Sequence, residues 1–172
     1  MMKKNVLITG ITGQDGSFLT DHLLQNSEYQ VIGTSRQKNN DYFYKKLEHL
    51  NVKSSAINNL KIVQADALDY ESINSVIKKS EIHSVYNLVG PSSVYESVKD
   101  PFNSTKSIIF SFNNLVKALV ENENYPKFFQ TSSSEMFEAS VNEELNENSA
   151  FNPRSPYASS KLYIHNLISF LR

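Results

Sequence analysis

Thr9-Gly10-Ile11-Thr12-Gly13-Gln14-Asp15-Gly16 follows the apolar run Val6-Leu7-Ile8 and precedes an apolar-periodic segment carrying Phe18, Leu19, Leu23 and Leu24. A strand, a glycine turn and a helix start therefore adjoin. The spacing of Gly10, Gly13 and Gly16 has a physical use: a tight turn, close approach of a pyrophosphate to main-chain N–H groups, and tight packing of helix on strand. A helix N-terminus then faces an anion. Three glycines by themselves also serve plain turns, but their place straight after a buried-type strand favours a dinucleotide loop.

At 172 residues the chain reads as one domain, residues 1–172, with a single substantial core. A net charge of −1 offers no electrostatic pull toward nucleic acid or an anionic membrane, so a small-molecule ligand is expected. The chain has no cysteine, which excludes disulfides, thiolate chemistry and cysteine-based metal sites. His22, His49, His83 and His165 share no metal-like spacing, and no metal is expected. No stretch approaches membrane-spanning length and Met1 to Asn5 lead into too short an apolar run for a secretory signal, so the expected location is cytoplasmic.

Beyond the glycine loop, residues 17–25 read as a helix and Tyr29 to Gly33 as a second buried strand. About 20 residues past the glycines, where an acid would hold a ribose 2′-hydroxyl, stands Arg36. A guanidinium suits a 2′-phosphate, which favours NADP over NAD; the other reading is a solvated surface arginine. Residues 37–59 are polar, with Tyr42, Phe43, Leu47 and Leu50 marking a short helix under a mobile loop. Leu60 to Gln64 is a third strand, and Asp66 after it either meets an adenine or caps the next helix, 72–79. Val85 to Val89 is the fourth strand, ending in turn residues at the edge where open α/β sheets bind ligands. Asp100-Pro101 ends the loop that follows, and 104–121 reads as a long helix apolar on more than one face, which suits burial or a subunit interface. Lys127 to Thr131 is the fifth strand, 138–153 an acidic exposed loop, and the segment from Pro156 onward a last helix. Alternating strands and helices of this kind build a Rossmann-type, doubly wound parallel α/β sheet with right-handed crossovers.

Tyr157 and Lys161 lie four apart on that last helix and share a face. An ammonium beside a phenol favours the phenolate, which can take a proton from an alcohol, and Ser133 at the end of the fifth strand can bond the same oxygen. The released hydride would go to a nicotinamide. Either feature alone is usually a surface pair or a turn. With the dinucleotide loop they form a coherent oxidation site.

The N-terminal motif, Asn87-Leu88, Ser133-Ser134-Glu135-Met136-Phe137 and Pro153-Arg154-Ser155-Pro156-Tyr157-Ala158-Ser159-Ser160-Lys161-Leu162-Tyr163 resemble the extended short-chain dehydrogenase/reductases, in particular their GDP-mannose 4,6-dehydratase branch. The resemblance covers nearly the whole chain. It implies NADP bound by Gly10, Thr12, Gly13, Gln14, Asp15, Gly16, Arg36, Asp66, Ala67, Leu88, Tyr157 and Lys161, with Ser133, Glu135, Tyr157 and Lys161 catalytic. Glu135 would separate a dehydratase from epimerase and reductase relatives, which need no acid/base for water elimination; its plain reading is a solvated glutamate. The resemblance further implies a nucleotide-sugar substrate, GDP-mannose, and a homodimer or tetramer assembled through helices 104–121 and 156–172.

Some positions depart from the pattern. Val89-Gly90-Pro91 follows Asn87-Leu88 where small residues and Gln are usual, Phe137-Glu138 replaces Tyr-Gly, Ala67 replaces a larger apolar residue, and Gln37 stands where a second Arg is common. Family members also continue past the Tyr157 helix into a lobe that binds the nucleotide-sugar. The expectation is thus a cofactor site with its acid/base residues but few substrate contacts, and little or no turnover by this chain alone. The alternatives are an epimerase or reductase of the same family, or a non-catalytic dinucleotide-binding module.

Overall fold

A computed structural model describes residues 3–137 and 144–172, which group into two compact units: 3–89 with 113–131, and 90–112 with 132–172. In the first unit five parallel strands, β1 (Lys4–Thr9), β2 (Tyr29–Ser35), β3 (Leu60–Gln64), β4 (Ser84–Asn87) and β5 (Lys127–Gln130), lie in the order β3-β2-β1-β4-β5. The order reverses between β1 and β4, so a crevice opens at their carboxyl ends.

Residues alternate between the two faces of a strand, and both faces here are covered, which explains the nearly continuous apolar runs. Val6, Ile8 and Val31 pack with Leu23 and Leu24 of α1 (Gln14–Leu24) and with Phe43 and Leu47 of α2 (Asp41–His49). Leu7, Ile32 and Val85 pack with Ile73, Val76 and Ile77 of α4 (Tyr70–Lys78) and with Leu115, Ala118 and Leu119 in the later turns of α6 (Pro101–Glu121).

Several boundaries differ from the sequence expectation. Helix α1 begins at Gln14 rather than at residue 17, because Gly13 is already its extended N-cap (φ −67°, ψ 176°). Strand β2 runs on to Ser35, held between Thr9 of β1, level with Thr34, and Gln64 of β3, level with Ser35. The stretch 37–59, expected to hold a short helix under a mobile loop, holds α2, anchored to the sheet by buried Phe43 and Leu47, and in addition the short α3 (Ser54–Ile57). Strand β4 ends at Asn87 rather than Val89, and α4 begins at Tyr70, capped by Asp69.

In the second unit, α5 (Val94–Lys99) occupies a stretch read as loop; its cap is Ser93, whose side chain accepts the N–H of Glu96. Asp100 does not end a loop but opens α6: its carboxylate accepts the N–H of Asn103 at 3.2 Å, and Pro101 takes the first helical position, where its missing N–H costs nothing. A 3₁₀ turn (Ser134–Met136) precedes Phe137, which bridges Phe151 in antiparallel fashion. Residues 138–143 of the expected acidic loop, Glu138 among them, lie outside the described residues; 144–150 form mostly exposed coil and turn. The last helix, α7 (Pro156–Leu171), starts with Pro156 behind its cap Ser155. Among the described residues no helix is long and apolar enough to cross a membrane.

Candidate active site

The glycine loop lies at the carboxyl end of β1. Gly10 has φ +71°, a left-handed conformation natural to glycine, and a Cβ there would stand 3.0 Å from the Cα of Val89 and 3.1 Å from the main chain of Leu88. The loop thus abuts the end of β4 at the topological switch point, bringing Leu88 beside it. The N–H of Gly13 donates to the carbonyl of Gly10 at 3.0 Å, closing the turn. A Cβ on Gly16 would fall 2.3 Å from the carbonyl oxygen of Ile11, so α1 could not pack this close with any larger residue. Gly13 has no side chain to cap α1, which leaves the first-turn N–H groups of Gln14, Asp15 and Gly16 to an anion. These features fit a pyrophosphate-bearing dinucleotide.

Arg36 directly follows β2 with its side chain exposed; its carbonyl accepts from Gln64 Nε2 at 3.3 Å, fixing its main chain on β3. Asp66 is exposed. It does not cap α4, a role taken by Asp69, whose carboxylate accepts the Glu71 N–H at 3.1 Å; Asp66 instead accepts the N–H of Leu68 at 3.0 Å within its own turn. Ala67 is buried in the core, and its carbonyl accepts from Asn114 at 3.0 Å. Thr12 supplies something sequence reading missed: its carbonyl accepts a hydrogen bond from Lys46 Nζ at 3.0 Å. No sequence signal announces a lysine of α2 reaching back 34 residues.

The residues expected to carry acid/base chemistry belong to the second unit. Ser155 accepts the N–H of Ala158 at 3.0 Å and so starts α7, whose first turns bury Tyr157 and Lys161. Lys161 Nζ lies 5.7 Å from the centroid of the Tyr157 ring, so the expected pairing on one helix face is present. Burial pushes the Lys161 ammonium below its ordinary pKa. Glu135 lies on the 3₁₀ turn and Ser133 caps its start, and the turn packs against α7. There the hydroxyl of Ser133 accepts the Glu135 N–H at 3.2 Å, which leaves its own proton free to point elsewhere, while the Glu135 side chain is exposed. Buried Met136, Phe137 stacked 4.8 Å from Phe151, and Phe151 set 5.1 Å from His165 of α7 seat the turn on the helix.

A cavity of about 590 Å³ lies elsewhere in the first unit, lined by Asp21, Gln25, Asn51, Lys53 and Asn59 among others. Its lining comes from the last turn of α1, from α3 and from the segments that lead into β2 and β3, and includes no residue of the glycine loop.

The strand order, the switch point and the glycine loop define a Rossmann-type dinucleotide-binding fold. A solved structure of UDP-glucose 4-epimerase from Bifidobacterium longum, in complex with NAD+ and UDP, matches that fold with a TM-score of 0.82 at 23% identity, over 98% of this chain and 49% of that one. The chain belongs to the GDP-mannose 4,6 dehydratase family, whose model matches residues 7–172. It is 34% identical to GDP-mannose 4,6 dehydratase 1 of Arabidopsis thaliana over 95% of this chain and 46% of the relative. With GDP-mannose 4,6-dehydratase of Vibrio cholerae it shares 31% identity over 95% of this chain and 44% of the relative. The chain thus spans about half the length of these relatives.

Proposed function

We propose that this chain supplies the cofactor site and the acid/base residues of an NADP-dependent nucleotide-sugar 4,6-dehydratase, a hydro-lyase converting GDP-mannose to GDP-4-keto-6-deoxy-mannose. The observation that carries this reading is the packing of the turn bearing Ser133 and Glu135 against the helix bearing Tyr157 and Lys161. An oxidation group and an elimination group then belong to one compact unit. The relatives named above are dehydratases.

When bound, the nicotinamide would supply reversible hydride transfer between C4 and C6 of the sugar, so that the net reaction is loss of water. Tyr157, beside Lys161, takes the proton of the 4-hydroxyl, and Ser133 donates a hydrogen bond to the same oxygen as it becomes a ketone. That ketone acidifies the C5 proton. Glu135 removes it and passes it to the departing 6-hydroxyl, so the leaving group is water, and the proton that Tyr157 took from the 4-hydroxyl is the one that restores C5. Arg36 holds the 2′-phosphate of NADP, and α6 and α7 form the subunit contact of a dimer or tetramer. Exposed Phe102 and Phe110 on α6 and Tyr163, Phe170 and Leu171 on α7 support that contact.

The test is Glu135→Gln in the full-length protein. Retained C4 oxidation, seen as NADPH absorbance, with loss of the 4-keto-6-deoxy product supports the dehydratase. Unchanged product formation removes Glu135 from the mechanism. An epimerase or reductase of the same scaffold would show C4 oxidation with no product of water loss even before substitution. By itself the present chain is expected to turn over GDP-mannose poorly or not at all, since most substrate contacts of the family belong to the other half.

A further inference from the structure

We infer that Lys46 is a second cation for the adenosine 2′-phosphate, and so a residue that sets the preference for a phosphorylated dinucleotide. The inference deepens, and rests on, the NADP reading above. Parallel pairing puts Thr9 level with Thr34, so the glycine loop that leaves β1 and the Arg36 segment that leaves β2 start side by side at one edge of the sheet. Ser35 accepts the Gln37 N–H at 3.1 Å and turns the chain there. Helix α2 then returns toward the loop, and from its second turn Lys46 reaches the Thr12 carbonyl at 3.0 Å. A cation is thereby fixed on the glycine loop, and another, Arg36, lies at the neighbouring strand end.

The ammonium has three protons, of which the carbonyl takes one. Its ring contact with Tyr42, 4.9 Å to the centroid, steadies the stem without neutralising the charge. Among the described residues no carboxylate lies within 4.0 Å of Lys46 Nζ, whereas Lys4, Lys99 and Lys117 each have an acidic partner at that range. A half-buried ammonium pinned by a neutral carbonyl, with donors to spare, suits a phosphate better than it suits fold stability. It also supplies charge that position 37, a glutamine, does not.

The experiment is calorimetric titration of the protein and of Lys46→Met and Lys46→Arg with adenosine 2′,5′-bisphosphate and with 5′-AMP, after thermal melts show both variants folded. The parent is expected to bind the bisphosphate more tightly than AMP. Lys46→Met should lose about tenfold in bisphosphate affinity, the scale of one charge-assisted hydrogen bond, with AMP unchanged and Lys46→Arg close to the parent. Equal losses for both ligands would make Lys46 a mere support of the loop and overturn the inference, as would no loss at all. A parent that does not distinguish the two ligands would overturn the NADP reading itself, and this inference with it.

Discussion

The main-chain N–H of Tyr157 donates to the hydroxyl of Ser97, 3.3 Å away, and that hydroxyl donates in turn to the carbonyl of Val94 at 2.7 Å. Ser97 is fully buried. The opening N–H groups of a helix have no partner within it, and here two side chains take two of them: local Ser155 serves Ala158, and distant Ser97 serves the residue proposed as the base. Ser97 is thus a positioning residue for Tyr157. Ser97→Ala leaves a buried N–H unsatisfied and is expected to cost about 1–3 kcal/mol, read as a lower melting temperature by calorimetry. An unchanged melt would count against Ser97 as the anchor.

Gly16→Ala should damage the cofactor loop and the fold together. The added Cβ would meet the Ile11 main chain at 2.3 Å, and backbone cannot swing aside as a side-chain tip can. A destabilisation of about 1–3 kcal/mol in urea unfolding is expected, with loss of NADPH binding even where the variant stays folded. Binding at parental affinity would show that the α1 contact does not shape the loop.

Asn87 joins three strands at the switch point. Its Oδ1 accepts from Thr9 Oγ1 of β1, and its Nδ2 donates to Gln130 Oε1 of β5 at 2.7 Å, all but excluded from water. Asn87→Ala strands both partners and is expected to cost about 2–4 kcal/mol, two bonds' worth of lost satisfaction. Hydrogen exchange should locate the loosening at the carboxyl ends of β1, β4 and β5; exchange slowed nowhere and quickened nowhere would refute this bridging role.

Lys161 gives a pH dependence whose sign follows from burial. Desolvation lowers its pKa in the folded chain below the 10.5 of the free side chain. Between the two values the unfolded chain binds more protons, so the Lys161 contribution to stability rises with pH across that window; below it the cost of the buried charge is fully present. Lys161→Met should therefore melt above the parent near neutral pH, by a margin that narrows as pH climbs toward about 10. A margin independent of pH would mean that the ammonium titrates as it does in water.

Much of the architecture could be read from short-range pattern. The strand–loop–helix at Val6 to Leu24, the five strand positions and the Tyr157-Lys161 pair rest on periodicities of two and 3.6 and on glycine spacing, which act over a few residues. Helix α5 escaped notice although Ser93 and Glu96 form a cap signature, because six residues carry too little periodicity to stand out from a loop. Helix α2 could be read from Tyr42, Phe43, Leu47 and Leu50, whereas α3, four residues long with none buried, carries no periodicity to mark it.

Local chemistry along the chain thus determined the class of fold, the glycine loop and the residues that are candidates for acid/base roles. Tertiary structure alone decided that Lys46 meets Thr12, that Ser97 holds Tyr157, that Asp69 rather than Asp66 caps α4, and that the turn of Ser133 and Glu135 seats on α7. Three of these relations, Lys46 with Thr12, Ser97 with Tyr157 and the turn with α7, join residues some 20 to 60 positions apart, where no repeat or spacing rule connects the partners. The cap at Asp69 is local, but Asp66 and Asp69 carry the same side chain three residues apart, and only the folded backbone shows which of them stands at the start of the helix.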